Sequence, residues 1–163
     1  MGLLNYTGEV AAVVNALRDF YQKSQLEMDR VLKDQGVSLA RFRLLAFIKH
    51  AAPTRSVDVA EAFAYAPRTV TEALDGLERA GLIARRASPD DRRAKLIELT
   101  AEGEAALVQA EPEARRFVED VFTALDDGEK ATLAALVGKI NARLSDLASA
   151  RAALKCEKSA EDQ

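Results

Sequence analysis

Reactive and metal-binding side chains are nearly missing from this sequence. Its 163 residues include one cysteine (Cys156), one histidine (His50) and no tryptophan. A single Cys cannot close an internal disulfide, which fits a reducing compartment. A metal site needs three or four ligands of suitable spacing, and no His/Cys cluster supplies them. Neither a metal nor a cofactor is expected. The eight glycines are scattered, so no glycine-rich phosphate loop forms. Carboxylate pairs do occur, Asp90-Asp91 and Asp126-Asp127, but in turn-like contexts. An enzyme is therefore not expected. Long apolar runs are missing too, with nothing near the roughly 20 residues of a membrane span. No basic region precedes an apolar run at the N-terminus, as a signal peptide would require. Myristoylation wants Ser or Thr at position 6, where Tyr6 stands. The expectation is a cytoplasmic protein with no membrane partner.

What is present is 48% hydrophobic and 30% charged, enough apolar surface for one globular domain with a core. The net charge of −3 hides a tilt. Residues 1–100 hold 15 basic and 13 acidic groups, while residues 101–163 hold 8 and 13. A basic, partner-facing half and an acidic remainder is the implied division.

Apolar periodicity places the helices. Val10, Val13, Val14, Leu17, Tyr21, Met28, Val31 and Leu32 recur at steps of three and four, predicting a long helix from Thr7 to Lys33, stopped by Gly36. Ser38 is a candidate N-cap for a second helix bearing Leu39, Phe42, Leu45, Phe47 and Ile48 and ended by Pro53. Two short helices follow. Ser56 caps the first, which turns Val59, Ala60 and Phe63 inward. Pro67 opens the second, which carries Val70, Leu74 and Leu77 and stops at Gly81. Two short helices joined by a tight turn are the helix-turn-helix pattern. The runs 82–86 and 94–99 then predict a β-hairpin around a polar loop, Ala87 to Arg93. Helix resumes after the N-cap candidate Thr100 and runs to about Leu125, with a kink or break expected near Glu111 because Pro112 lies inside it. Asp126-Asp127-Gly128-Glu129 resembles a capping box with Asp in place of Ser. The last helix puts Leu133, Leu136, Val137, Ile140, Leu144 and Leu147 on one face, and a polar tail, frayed at its end, is expected over 151–163.

This order, and two motifs within it, resemble the MarR-type winged-helix regulators. Leu74-Asp75-Gly76-Leu77-Glu78, followed by Gly81-Leu82-Ile83, is similar to the end of the family's recognition helix and its first wing strand. Asp91-Arg92-Arg93 with Leu99-Thr100-Ala101-Glu102-Gly103 is similar to its wing motif. Glu72 and Gly76 depart from the pattern, where many members carry basic or polar residues. The resemblance implies a mostly α-helical fold with a small β-hairpin wing. It implies a single unit over residues 1–150, with a winged helix-turn-helix core at 38–100 and long dimerisation helices at 7–35 and 101–148, intertwined across a two-fold axis. It further implies transcription regulation, with double-stranded DNA (a palindromic operator), a second copy of the chain and a small aromatic or phenolic acid effector as partners. A winged-helix protein-interaction module that binds no DNA is the alternative.

The residues carry their own argument about DNA. Opposite Val70, Leu74 and Leu77 lie Arg68, Glu72, Asp75 and Arg79, flanked by Thr69, Thr71 and Gly76. Arg68 suits a guanine edge, Thr69 and Thr71 suit phosphates or a thymine methyl, and Glu72 suits a cytosine amino group. The plainer reading of this face is a solvated surface with two ion pairs, Arg68–Glu72 and Asp75–Arg79. The hairpin adds Arg85, Arg86, Arg92, Arg93 and Lys95 against Asp90 and Asp91. An arginine on a narrow loop can enter the minor groove. The motif makes that residue Arg93, with Asp91 orienting it. Arg18, Tyr21, Arg41 and His50, near Phe20, Phe42 and Phe47, are the candidate effector-binding residues, since an arginine beside aromatic surface suits a carboxylate-bearing ring. The plainer reading makes Arg18 and Arg41 surface charges and His50 a helix-terminal histidine.

Overall fold

The computed structural model describes residues 7–87 and 95–161, and the side chains as far as Leu154. The described residues form six helices and one hairpin: α1 (Gly8–Asp34), α2 (Leu39–Ala51), α3 (Ser56–Phe63), α4 (Pro67–Arg79), β1 (Ile83–Ala87), β2 (Lys95–Leu99), α5 (Ala101–Phe122) and α6 (Asp127–Glu161). This is the expected helical architecture with a small wing. The chain divides into two compact units, Met1–Phe117 and Val118–Gln163.

The first unit closes a core of its own. Leu32 from α1, Leu44, Leu45 and Ile48 from α2, Val59 from α3, and Val70, Leu74 and Leu77 from α4 meet Ile83 and Ile97 of the hairpin and Leu107, Ala110 and Ala114 of α5. Thus α4 buries the stripe predicted for it, whereas α1 buries only Leu32 and leaves Val10, Val13, Leu17 and Tyr21 exposed.

The helix ends explain where the elements start and stop. Ser38 accepts from the Arg41 N–H at 3.4 Å, and the Asp29 carboxylate takes the Leu39 N–H at 2.9 Å. Together they satisfy two of the orphan donors of α2. Ser56 is the first residue of α3 rather than its cap. The cap position is Arg55, whose backbone N–H donates to Asp58 at 2.7 Å. At the other end of α4, Gly81 sits at φ +71°. The Gly81 N–H donates to the Glu78 carbonyl and the Leu82 N–H to the Leu77 carbonyl, at 2.9 and 3.0 Å. This is a complete Schellman closure. Its counterpart at the end of α3 has Ala64 in the left-handed region (φ +51°), with the Tyr65 N–H donating to the Ala60 carbonyl.

The strands β1 and β2 pair antiparallel, Ile83 opposite Leu99 and Arg85 opposite Ile97. A third short piece adds to them: Thr54, buried, bridges to Ile97 through its backbone. The link between α2 and α3 is thereby tied to the hairpin root, a feature the sequence pattern did not reveal.

Two further expectations are corrected. Of the kink or break expected near Glu111, the break does not occur: helix α5 runs continuously through Pro112. The proline forfeits one backbone bond, but the burial of Leu107, Ala110 and Ala114 along one side of α5 holds the helix across it. And α6 does not end near Ala150; it continues to Glu161, because 148–161 is rich in Ala, Lys and Glu and contains no Gly or Pro. The Asp126 capping box is present, with the Glu129 N–H on the Asp126 carboxylate at 2.8 Å and the Asp126 N–H on that of Glu129 at 2.9 Å. No helix among the described residues is long and apolar enough to cross a membrane.

Candidate nucleic-acid interface

Helix α4 has one buried and one free face. Burial of Val70, Leu74 and Leu77 turns Arg68, Thr69, Thr71 and Glu72 to solvent. The Arg68 side chain is 90% exposed and its Nε donates to Glu72 at 2.8 Å. The first of the two ion pairs of the plainer reading is therefore real, though an exposed i,i+4 pair is worth only about 0.3–0.5 kcal/mol. A DNA base edge or phosphate can compete with so weak a partner. The Thr71 hydroxyl donates to the Pro67 carbonyl at 3.0 Å, and the residue is exposed.

The second expected pair does not form. Asp75 faces Arg85 of β1, not Arg79. Arg85 Nη1 lies 2.6 Å from the Asp75 carboxylate and 2.8 Å from that of Glu78. Arg79 instead donates to the Asp75 backbone carbonyl at 3.3 Å. The physical reason is the Schellman turn, which sends β1 back along the last turns of α4 and puts Arg85 on the inner face of the strand. Its side chain is only 16% exposed. Arg85 is thus removed from the set of wing cations offered to a partner. Arg86 points the other way, 73% exposed and 3.6 Å from Glu98. Asp91, Arg92 and Arg93 lie outside the described residues.

The root of the wing is locked to α5. The Thr100 hydroxyl donates to the Gly81 carbonyl at 2.6 Å and accepts from the Gly103 N–H at 3.0 Å. A Cβ on Gly103 would land on the Leu82 carbonyl oxygen. Thr100 and Gly103 of the Leu-Thr-x-x-Gly motif therefore have a mechanical meaning. The Thr caps α5 and fastens the end of α4, and the Gly lets the two backbones touch.

A separate open groove of about 510 Å³ lies between α1 and α2, lined by Tyr21, Gln25, Leu26, Leu39, Arg43 and Tyr65 among others. Of the expected effector-binding residues it includes Tyr21 alone. Arg18 and Arg41 are exposed outside it, and His50 is exposed in the last turn of α2. Arg43 takes the place expected for Arg41, because two residues along a helix turn to nearly the opposite side. Asp29 also borders the groove; the Lys33 ammonium at 2.7 Å and the Leu39 N–H hold its carboxyl below the ordinary value. Among the described residues no three His, Cys, Asp or Glu side chains gather as metal ligands.

Known proteins share this arrangement. The model of the MarR family matches residues 37–95. The HTH-type transcriptional repressor YetL of Bacillus subtilis is 31% identical over 132 residues, 80% of this chain and 79% of that protein. Among solved structures, a mutant MarR from E. coli complexed with operator DNA superposes with a TM-score of 0.74 at 24% identity, covering 84% of this chain and 99% of that one. FabT of Streptococcus pneumoniae in complex with DNA gives 0.75 at 21%, covering 85% and 99%. These two establish likeness of fold. The sequence relationship to YetL, with the family match over residues 37–95, makes this chain a member of the MarR family of transcriptional regulators.

Proposed function

We propose that this protein is a homodimeric repressor that binds a palindromic double-stranded DNA operator in the cytoplasm and leaves it when a small aromatic or phenolic acid binds. The observation that carries the reading is the N-terminal half of α4, whose back is sealed into the core while Arg68, Thr69, Thr71 and Glu72 stand free beside the wing root. A helix so mounted enters a major groove with its first turns against base edges. Arg68 reads a guanine, Arg86 meets the backbone, and Arg92 and Arg93, with Asp91, act from the wing tip on the strength of the family motif. One winged helix gives few phosphate contacts. Two copies about 34–36 Å apart would occupy successive turns of the duplex.

The exposed apolar residues support pairing. Val10, Val13 and Leu17 on α1 are exposed, as are Leu133, Leu136, Val137, Ile140, Leu144 and Leu147 on α6. Soluble chains seldom leave such runs uncovered, and a second copy is the cover proposed here. For the effector, the Arg43 guanidinium with the Tyr21 and Tyr65 rings offers a place for an aromatic carboxylate.

In the direct test, duplexes are selected from a random pool with the wild-type protein, followed by gel-shift titration. Arg68→Ala should cost about 1–3 kcal/mol and relax the preference at one base position. Arg93→Ala should lower the salt slope by about 1. Failure of the wild type to retard any duplex at low salt would favour the protein-interaction module instead.

A further inference from the structure

The recognition helix carries two carboxylates near its C-terminal end, Asp75 and Glu78, where the helix dipole is already negative. Left alone they would repel a phosphate backbone. Both are engaged by a single nitrogen of Arg85, at 2.6 and 2.8 Å, and that arginine belongs to the other element offered to DNA, the wing. Asp75 and Glu78 are one helical turn apart, so they form a two-toothed socket on one side of α4. Arg85 enters it from the inner face of β1, beyond the buried Ile83 and opposite Ile97. Only residues 80–82 separate the helix from the strand. The hairpin therefore cannot swing relative to α4 without breaking two charge-assisted hydrogen bonds that are partly shielded from water.

We infer that Arg85 is a positioning residue for DNA reading: it fixes the wing to the recognition helix, so that base edges and the neighbouring groove are engaged at one set angle, and it screens Asp75 and Glu78 from the duplex. It touches no base or phosphate itself. The inference rests on the DNA-binding reading above and adds to it the source of the discrimination between right and wrong sites. Rigid coupling of two contact elements favours the site that fits both at once. Independent elements would settle on any duplex with little penalty.

The decisive variant is Asp75→Asn with Glu78→Gln, which keeps the size of both side chains and removes two negative charges. If the carboxylates only repel DNA, binding to the duplex selected by the wild type and to poly(dI-dC) should strengthen together. If the socket positions the wing, affinity for poly(dI-dC) rises while the ratio of selected to non-selected affinity falls by about tenfold. Arg85→Gln gives the second arm. The ratio should fall again, Arg85→Lys should restore it in part, and the far-UV spectrum should stay that of the wild type. An unchanged or increased ratio in the double variant overturns the inference while leaving DNA binding intact. A wild type that retards no duplex removes the DNA-binding reading, and the inference with it.

Discussion

The two units differ in what they finish by themselves. In Met1–Phe117, side chains of α1 to α5 and the hairpin converge on one core, and Leu45, Ile48, Val59, Leu74 and Ile97 are sealed from solvent. In Val118–Gln163 no described residue is buried, although Leu133, Leu136, Val137, Ile140, Leu144 and Leu147 recur at helical spacing. Equal apolar content leads to opposite outcomes because burial needs opposing elements. The first unit has them within its own chain. A long helix with one apolar stripe must find them elsewhere. The unit that closes a core carries α4 and the root of the wing; on the reading proposed above, pairing falls to the apolar residues left exposed on α1 and α6.

The sharpest blow to the complete unit is Gly103→Ala. The added methyl group would collide with the Leu82 backbone carbonyl, which cannot rotate away as a side chain could. We expect a loss of about 3 kcal/mol or more, in the range of severe overpacking, read as a fall in the thermal midpoint. A midpoint within a degree of the wild type would mean that α5 and the α4–β1 turn are not in fixed contact.

For the incomplete unit the corresponding change is Leu136→Asp. A charge in the middle of the α6 stripe should convert the proposed dimer to single subunits in sedimentation velocity, with a cooperative unfolding transition of the first unit retained. Loss of that transition together with the dimer would break the contrast, since the core would then depend on a partner too.

How legible was this in the sequence? Helix α4 was readable to the residue because three signals agree there: Pro67 at its start, Val70-Leu74-Leu77 along its back and Gly81 at its end. Ser38 and the Asp126–Glu129 box were readable for the same reason, a capping chemistry local to four residues. What escaped depends on contacts between elements. The Thr54 bridge is one residue long and has no period. The partner of Arg85 is set by the direction in which β1 leaves the turn, so helical spacing favoured Arg79 for Asp75 and was wrong. Arg43 rather than Arg41 faces the groove because Leu44, Leu45 and Ile48 fix the rotation of α2, a rotation that a helix apolar on more than one face leaves ambiguous.

A smaller effect concerns the start of α3. The Arg55 backbone N–H, first of all, holds the Asp58 carboxyl below its ordinary 3.8, helped by the Arg55 guanidinium and the Thr54 hydroxyl. A carboxylate whose folded-state pKa is depressed stabilises the fold fully above its unfolded value, and that stabilisation fades as pH falls through the folded value. Asp58→Ala should therefore cost about 1 kcal/mol at neutral pH, and the deficit should shrink below about pH 4. Urea titrations at pH 7 and pH 3 would read it. A deficit that stays constant between them would remove the capping role of the charge.

The smallest effect is also the only one expected to be favourable. Ala64, in the turn between α3 and α4, holds φ +51° and ψ +39°, a conformation that costs a Cβ-bearing residue about 1–2 kcal/mol. It closes α3 as Gly81 closes α4, with the Tyr65 N–H reaching back to the Ala60 carbonyl at 3.1 Å, but without the residue that adopts this geometry freely. Ala64→Gly relieves the strain and gives back part of the gain as added freedom in the unfolded chain. The net should be a stabilisation of roughly 0.5–1 kcal/mol, a rise of a few degrees in the thermal midpoint. The same change at Ala66, whose backbone is extended at φ −63° and ψ 144°, has no strain to relieve and should destabilise. Opposite signs at two alanines two residues apart would locate the effect in the left-handed turn, and matching signs would refute it.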